Sequence, residues 1–249
     1  MTLANSANLS KSYFTNRQDR YLHFASSPGL AKYCSAYLDT FRPFSYSLQP
    51  SAEPAGFTTT WTNWSVHPYH TEVQLRDAVL KLRQSFVVDA SPLHEGGTVL
   101  VPSVQAGYAD VREEEECMKA LFEHVNETDA VVDLTSGYFG LYKAYQEHIL
   151  RSAANCRVVA ASPLVRSPNL SLRLHTYFVA QANGFYGSAG VSGHIPAGYT
   201  LLEQRFWRRL QQAGRTWDGS RGVQFFEWER PGWTYHAKGT PAQLPPSRC

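Results

Sequence analysis

Residues 130–161 constrain the fold more than any other stretch. Ala130 to Leu134 reads as a buried strand, and Thr135-Ser136-Gly137-Tyr138 follows it at the edge of a sheet. The spacing then predicts a helix over 140–152 and a second strand over 156–161. Strand, helix and strand in alternation put both strands in one sheet with the helix on its face, the α/β class. The pattern continues downstream. From Ile195 to Gln212, Tyr199, Leu202, Phe206 and Leu210 recur at helical spacing, and 222–229 reads as the next strand. The expected fold is α/β, a mixed sheet flanked by helices.

Upstream, residues 3–8 and 19–25 read as strands around a loop at 10–18. Ser27 before Pro28 is a helix start, a capping side chain with proline at the first helical position. Leu30, Tyr33, Cys34, Tyr37, Leu38 and Phe41 then give one apolar face, up to Arg42-Pro43. Residues 45–64 turn small and polar, a linker or an edge hairpin. A helix over 71–86 carries Leu75, Ala78, Val79, Leu82 and Phe86 on one face. A strand at 98–105 and a helix opened by Glu113 to Glu116 come next. Four carboxylates in a first turn suit the positive end of the helix dipole and read as a solvated helix end. Cys117, Leu121, Phe122 and Val125 are expected to face inward.

Composition excludes several classes. At 249 residues, with 43% hydrophobic and 18% charged, the chain can build a real core as one large domain or parts of two. A net charge of +2 gives no argument for nucleic acid. Cys34, Cys117, Cys156 and Cys249 have neither metal-ligand nor redox spacing, which fits free thiols in a reducing compartment. No apolar run is long enough to span a bilayer. Met1 to Leu9 has the pattern of neither a signal nor a transit peptide. His67 and His70 form His-x-x-His with no acidic or cysteine partner, so they read as loop histidines; no metal is expected. Arg205, Arg208 and Arg209 read as a solvated basic face, with phosphate or headgroup contact as the alternative.

The chemistry-bearing stretch is Arg230 to Gly239, Arg-Pro-Gly-Trp-Thr-Tyr-His-Ala-Lys-Gly. In an extended strand His236 and Lys238 share a face, while Trp233, Tyr235 and Ala237 turn into a core. An imidazole beside an ammonium suits a phosphoryl group, one attacking or moving a proton and the other holding an oxygen. At the far end of the chain Ser6 and Asn8 share a strand face by the same period and can bind phosphate oxygens.

These pieces resemble the phospholipase D superfamily, which carries H-x-K-x(4)-D and then G-S-x-N once in each of two halves. Within it, Ser12-Tyr13-Phe14-Thr15-Asn16-Arg17-Gln18-Asp19-Arg20-Tyr21, Val66-His67-Pro68-Tyr69, Thr135-Ser136-Gly137-Tyr138-Phe139, Asn183-Gly184-Phe185-Tyr186-Gly187 and Gly232 to Gly239 resemble the eukaryotic mitochondrial phosphatidylglycerophosphate synthases, in family order. The resemblance implies a phospholipase D-like fold, incomplete in its two halves. Residues 1–44 would be the tail of the first half, 45–66 a linker, 67–239 the second half and 240–249 a divergent tail. An atypical insertion is expected at 164–182, where the family runs almost directly from Ser-Pro into Asn-Gly-Phe.

The resemblance further implies phosphatidyl transfer from CDP-diacylglycerol to glycerol 3-phosphate, without cofactor or metal. It implies a mitochondrial, peripherally membrane-associated protein that can form homo-oligomers. His236 would move protons, Lys238 would stabilise charge, and Ser6 and Asn8 would bind phosphate oxygens. Asp19 would orient His236; its other reading is a surface charge beside Arg17 and Arg20. The nucleophilic His-x-Lys would lie outside this chain, so the alternative to an enzyme is a non-catalytic, lipid- or partner-binding short form.

Overall fold

The computed structural model describes residues 2–5, 7–8, 10–86, 100–125, 130–162, 189–240 and 242–243. Ser6 and the segment 164–182 lie outside the described residues. The chain divides into two compact units, Met1–Thr2 with His23–Cys117 and Leu3–Leu22 with Met118–Cys249.

The chain begins with β1 (Thr2–Asn5), a short helix α1 (Lys11–Thr15), β2 (Arg17–Gln18) and β3 (Tyr21–Phe24). The expected loop at 10–18 thus contains a helical turn, and the first strand ends before Asn8.

In the unit of residues 23–117, α2 (Pro28–Phe41) starts at the expected serine–proline pair, though Ser27 makes no side-chain capping bond. The small polar stretch folds as an antiparallel hairpin, β4 (Ser47–Pro50) on β5 (Phe57–Thr60). Helix α3 (Glu72–Ser85) buries Leu75, Val79 and Leu82. Leu75 and Val79 pack with Val104, Ala109 and Val111 into a small cluster edged by Phe41 and Phe44. Of the strand expected at 98–105, residues 98–99 lie outside the described residues, and of 100–105 only Gln105 is in a strand, β6 (Gln105–Ala106), paired with β7 (Val111–Arg112). One reason is that the Val104 N–H is taken by the Glu113 carboxylate at 2.8 Å, where a ladder partner would otherwise sit.

The division between the units falls within α4 (Glu113–His124). Its acidic first turn is only partly solvated. Glu113 accepts from Val104, and Glu115 accepts from Arg112 and Gln105. Cys117, expected inside, is exposed, whereas Phe122 and Val125 are buried. Cys117 is five positions before Phe122, about 140° round the helix from it.

The second unit is built on one mixed sheet of order β10-β9-β8-β12. β8 (Val131–Ser136), β9 (Asn155–Ala161) and β10 (Val223–Trp228) run parallel, and β12 (Ala242–Gln243) adds an antiparallel edge. Helix α5 (Lys143–Arg151) makes the crossover from β8 to β9, and α6 (Ile195–Gln212) precedes β10. Parallel strands need such helical crossovers, and here α5 and α6 pack on the same face of the sheet, through Ile149, Phe206 and Leu210. One face packs Val132, Leu134, Cys156, Val158, Ala160 and Val223 against Phe139, Phe206 and Leu210. The other packs Val159, Ala161 and Trp228 against Tyr235 and Ala237.

Candidate active site

The site is assembled where β8 ends. Arg230 to Trp233 close a β-turn, with the Trp233 N–H donating to the Arg230 carbonyl at 3.0 Å. Pro231 presets φ at its second position, and Gly232 supplies φ +74° at the third, as a type II turn requires. The chain leaves this turn into β11 (Thr234–Tyr235), which pairs in parallel with β2, Thr234 opposite Arg17 and Tyr235 opposite Gln18. The strand is shorter than expected. Beyond it the His236 N–H donates to the Gln18 carbonyl at 2.8 Å, and Gly239 exchanges backbone hydrogen bonds with Thr135.

Gly137 makes this approach possible. A Cβ there would lie 2.5 Å from the Tyr235 carbonyl oxygen and 3.2 Å from the His236 Cα. The loop after β8 can touch the backbone carrying the histidine only because residue 137 has no side chain. Tyr235 and Ala237 turn into the core as the period-two reading expects, and the Tyr235 ring stacks on Trp228 at 5.2 Å.

With the backbone anchored beside Gln18, the next residue, Asp19, reaches the imidazole. His236 Nδ1 lies 3.1 Å from Asp19 Oδ2, and the aspartate side chain is fully buried. The Arg20 N–H donates to the other carboxylate oxygen at 2.8 Å. A carboxylate only accepts, so this contact favours the tautomer with the ring proton on Nδ1 and the lone pair on Nε2, although the Lys238 Nζ also lies 3.1 Å from Nδ1. Lys238 Nζ folds back over the ring, 3.0 Å from Nε2, and donates to the His236 carbonyl at 3.1 Å. Asp19 is therefore no mere surface charge.

Tyr13, Arg17 and Asn8 complete the surroundings. The buried Tyr13 ring meets the imidazole edge-on at 4.9 Å, with its hydroxyl 3.4 Å from Nε2. The Arg17 guanidinium lies over the Tyr13 ring at 4.2 Å. Asn8 donates its amide to the Tyr13 hydroxyl at 2.9 Å. Asn8 thus reaches the histidine through Tyr13, not from a shared strand face.

Burial lowers the His236 pKa first, and the nearby Lys238 charge lowers it further. The hydrogen bond and charge of Asp19 oppose them. Burial also lowers the Lys238 pKa, against the pull of Asp19. Burial and the ammonium thus favour the neutral imidazole, able to take a proton at Nε2, with a carboxylate placed to stabilise the imidazolium that forms.

Tyr13, Arg17 and Gly137 were not legible as site residues. All three lie in the motif blocks, yet periodicity gives no sign that they surround His236, which is far from each of them along the chain. Elsewhere, the His67 and His70 rings are 5.3 Å apart in their loop. No group of three metal-ligating side chains gathers among the described residues.

No family model matches the chain. It is 30% identical to the mitochondrial CDP-diacylglycerol–glycerol-3-phosphate 3-phosphatidyltransferase of Gallus gallus over 268 residues, covering 94% of this chain and 43% of that protein. Identity to the Homo sapiens protein of that name is 28% over 261 residues, 94% of this chain and 42% of that one. The Saccharomyces pastorianus protein is also 28% identical, over 94% of this chain and 44% of its own length. The chain is similar to these phosphatidyltransferases over nearly all of its own length and spans about two fifths of theirs. Among solved structures, a phosphatidylserine synthase of Haemophilus influenzae is similar over 97% of this chain and 49% of its own, with 15% identity and a TM-score of 0.49.

Proposed function

We propose that this chain supplies one half of the active site of a phosphatidyltransferase. The enzyme would move the phosphatidyl group of CDP-diacylglycerol to sn-glycerol 3-phosphate, giving phosphatidylglycerophosphate and CMP. The observation that carries the reading is the contact of His236 Nδ1 with the buried Asp19 carboxylate, beside the Lys238 ammonium.

In this mechanism another histidine attacks the phosphorus and CMP leaves, giving a phosphohistidine. His236, as the imidazolium, protonates the departing CMP, and as the neutral ring it then takes the proton of the glycerol 3-phosphate hydroxyl, whose oxygen attacks the phosphohistidine phosphorus and displaces that histidine. Asp19 holds the ring's tautomer and stabilises its charged form. Lys238 neutralises the non-bridging oxygens, with Ser6 and Asn8 as further oxygen ligands. The sequence contains one His-x-Lys, so the nucleophile comes from another part of the working enzyme. Groups that act as a unit are strongly non-additive, and this chain alone is expected to be nearly inactive.

The protein would work as a peripheral, mitochondrial membrane protein, able to form homo-oligomers. The largely exposed Trp64, Tyr69 and Leu48 support the membrane part of this reading. Among the described residues no helix is long and apolar enough to cross a membrane.

The test is product formation from CDP-diacylglycerol vesicles and labelled sn-glycerol 3-phosphate. The chain would be assayed alone and joined to the amino-terminal part of a relative that carries the other His-x-Lys. Labelled phosphatidylglycerophosphate is expected only from the joined protein. Its loss in His236→Ala and a fall of about 10²-fold or more in Asp19→Asn would support the assignments. Activity that survives His236→Ala overturns them.

A further inference from the structure

On the helix-covered face of the sheet, a cavity of about 610 Å³ opens between α6 and β10. That size suits a small organic ligand. From α6 come Glu203, Gln204, Trp207 and Arg208, a stripe at three- and four-residue spacing on one helix face. From β10 come Phe225 and Glu227, which share a strand face by period two. No step assigned to His236, Asp19 or Lys238 uses any of these residues.

Their chemistry is specific. Burial, and then the charge of Glu227, push the Glu203 carboxyl up to about 7. Glu227 accepts a hydrogen bond from the Ser162 hydroxyl at 3.3 Å. The other charged group lining the cavity is Arg208 of α6. Near neutrality the two carboxyls therefore offer both a proton to donate and oxygens to accept, beside one fixed cation. Adjacent hydroxyl groups are both donors and acceptors and match such a pair. A guanidinium matches phosphate. Trp207 and Phe225 give an apolar wall for carbon-bound hydrogens or a base.

The placement agrees. Glu227 is the penultimate residue of β10, and Ser162 directly follows β9. Gly137, which touches the His236 backbone, directly follows β8. The carboxylate pair and the histidine site thus lie along the carboxyl ends of the same three parallel strands, where open α/β sheets bind ligands.

We propose that this cavity binds the vicinal diol of a phosphorylated polyol, with Glu203 and Glu227 taking the hydroxyls and Arg208 the phosphate. The choice of ligand rests on the phosphatidyl-transfer reading, which offers two sources of that chemistry. One is glycerol phosphate; the other is the ribose phosphate of a cytidine nucleotide.

Isothermal titration of the full chain at pH 7 distinguishes them. The probes are sn-glycerol 3-phosphate and CMP, each beside an analogue lacking one hydroxyl, 3-hydroxypropyl phosphate and 2′-deoxy-CMP. One diol ligand is expected to saturate the chain, with its analogue about tenfold weaker, as for one lost hydrogen bond. Glu203→Gln and Glu227→Gln should each weaken the diol ligand about tenfold and narrow its lead over the analogue. Arg208→Ala should weaken both members of a pair alike. His236→Ala should change little. Circular dichroism melts would exclude unfolding of the variants, and the analogue series on the unaltered chain tests the idea without them. Failure of both diol ligands to saturate, or equal affinity of diol and analogue, overturns the proposal. Affinity that depends on His236 and not on the glutamates overturns it too, while leaving phosphatidyl transfer standing. Conversely, binding at the glutamates without product from the joined enzyme would sink the transfer reading alone.

Discussion

The two units spend their apolar residues differently. In the unit built on β8, β9 and β10, helices cover one sheet face, and Phe139, Phe206, Ile149, Leu210, Val132, Val158 and Val223 are almost wholly buried. In the unit of residues 23–117 the small cluster around Leu75 and Val79 is the core, and α2 buries no residue fully. Leu38, on the expected inward face of α2, is 67% exposed. Both units contain amphipathic helices of the expected length. The difference teaches that periodicity finds a helix and its apolar stripe, while the depth of burial depends on what arrives to cover it.

Perturbing that contrast should give effects in descending order. Phe206→Ala removes an almost wholly buried ring packed against Phe139 at 5.4 Å. It should cost about 3–5 kcal/mol in urea denaturation. Leu75→Ala, in the smaller cluster, should cost about 2–3 kcal/mol, with the loss confined to residues 23–117 in hydrogen exchange. An equal cost at the two positions would erase the contrast.

Gly137→Ala forces a methyl against the Tyr235 carbonyl and should cost about 1–3 kcal/mol. It should also move the His236 ring resonances in NMR spectra; a destabilised variant with unchanged resonances would separate the glycine from the histidine. Glu203 gives a pH signature. Its folded pKa of about 7 lies above the ordinary 4.5, so the folded state holds a proton that the unfolded chain has lost between those values. Stability therefore falls as pH rises from about 4.5 to 7. Glu203→Gln should remove that fall and gain about 1 kcal/mol at pH 8, a figure discounted for the solvent reaching the group. The smallest effect is expected at Leu38→Ser, within about 0.5 kcal/mol. A larger loss would mean that α2 is covered in solution.

Much of the fold was readable. The helix at Ile195–Gln212 has its expected bounds, and the strands at 131–136, 155–161 and 223–228 fall where apolar runs placed them. The strand expected at 98–105 failed where a side chain took a backbone partner, the Glu113 carboxylate on the Val104 N–H. At the site the sequence marked His236, Lys238 and Asp19, the last through resemblance alone. It did not mark Tyr13, Gly137 or the paired Glu203 and Glu227, whose meaning lies in a neighbour distant along the chain.

The sequence by itself determined the α/β alternation, the helix and strand positions and the candidate phosphoryl-handling pair, because periodicity and side-chain chemistry are properties of neighbouring residues. Only the tertiary structure decided that Asp19 and Tyr13 meet an imidazole 217 and 223 positions away. It also decided that a glycine lets the backbones touch and that two carboxyls share one cavity. Those contacts follow from strand register and from closing long loops, which no local pattern encodes.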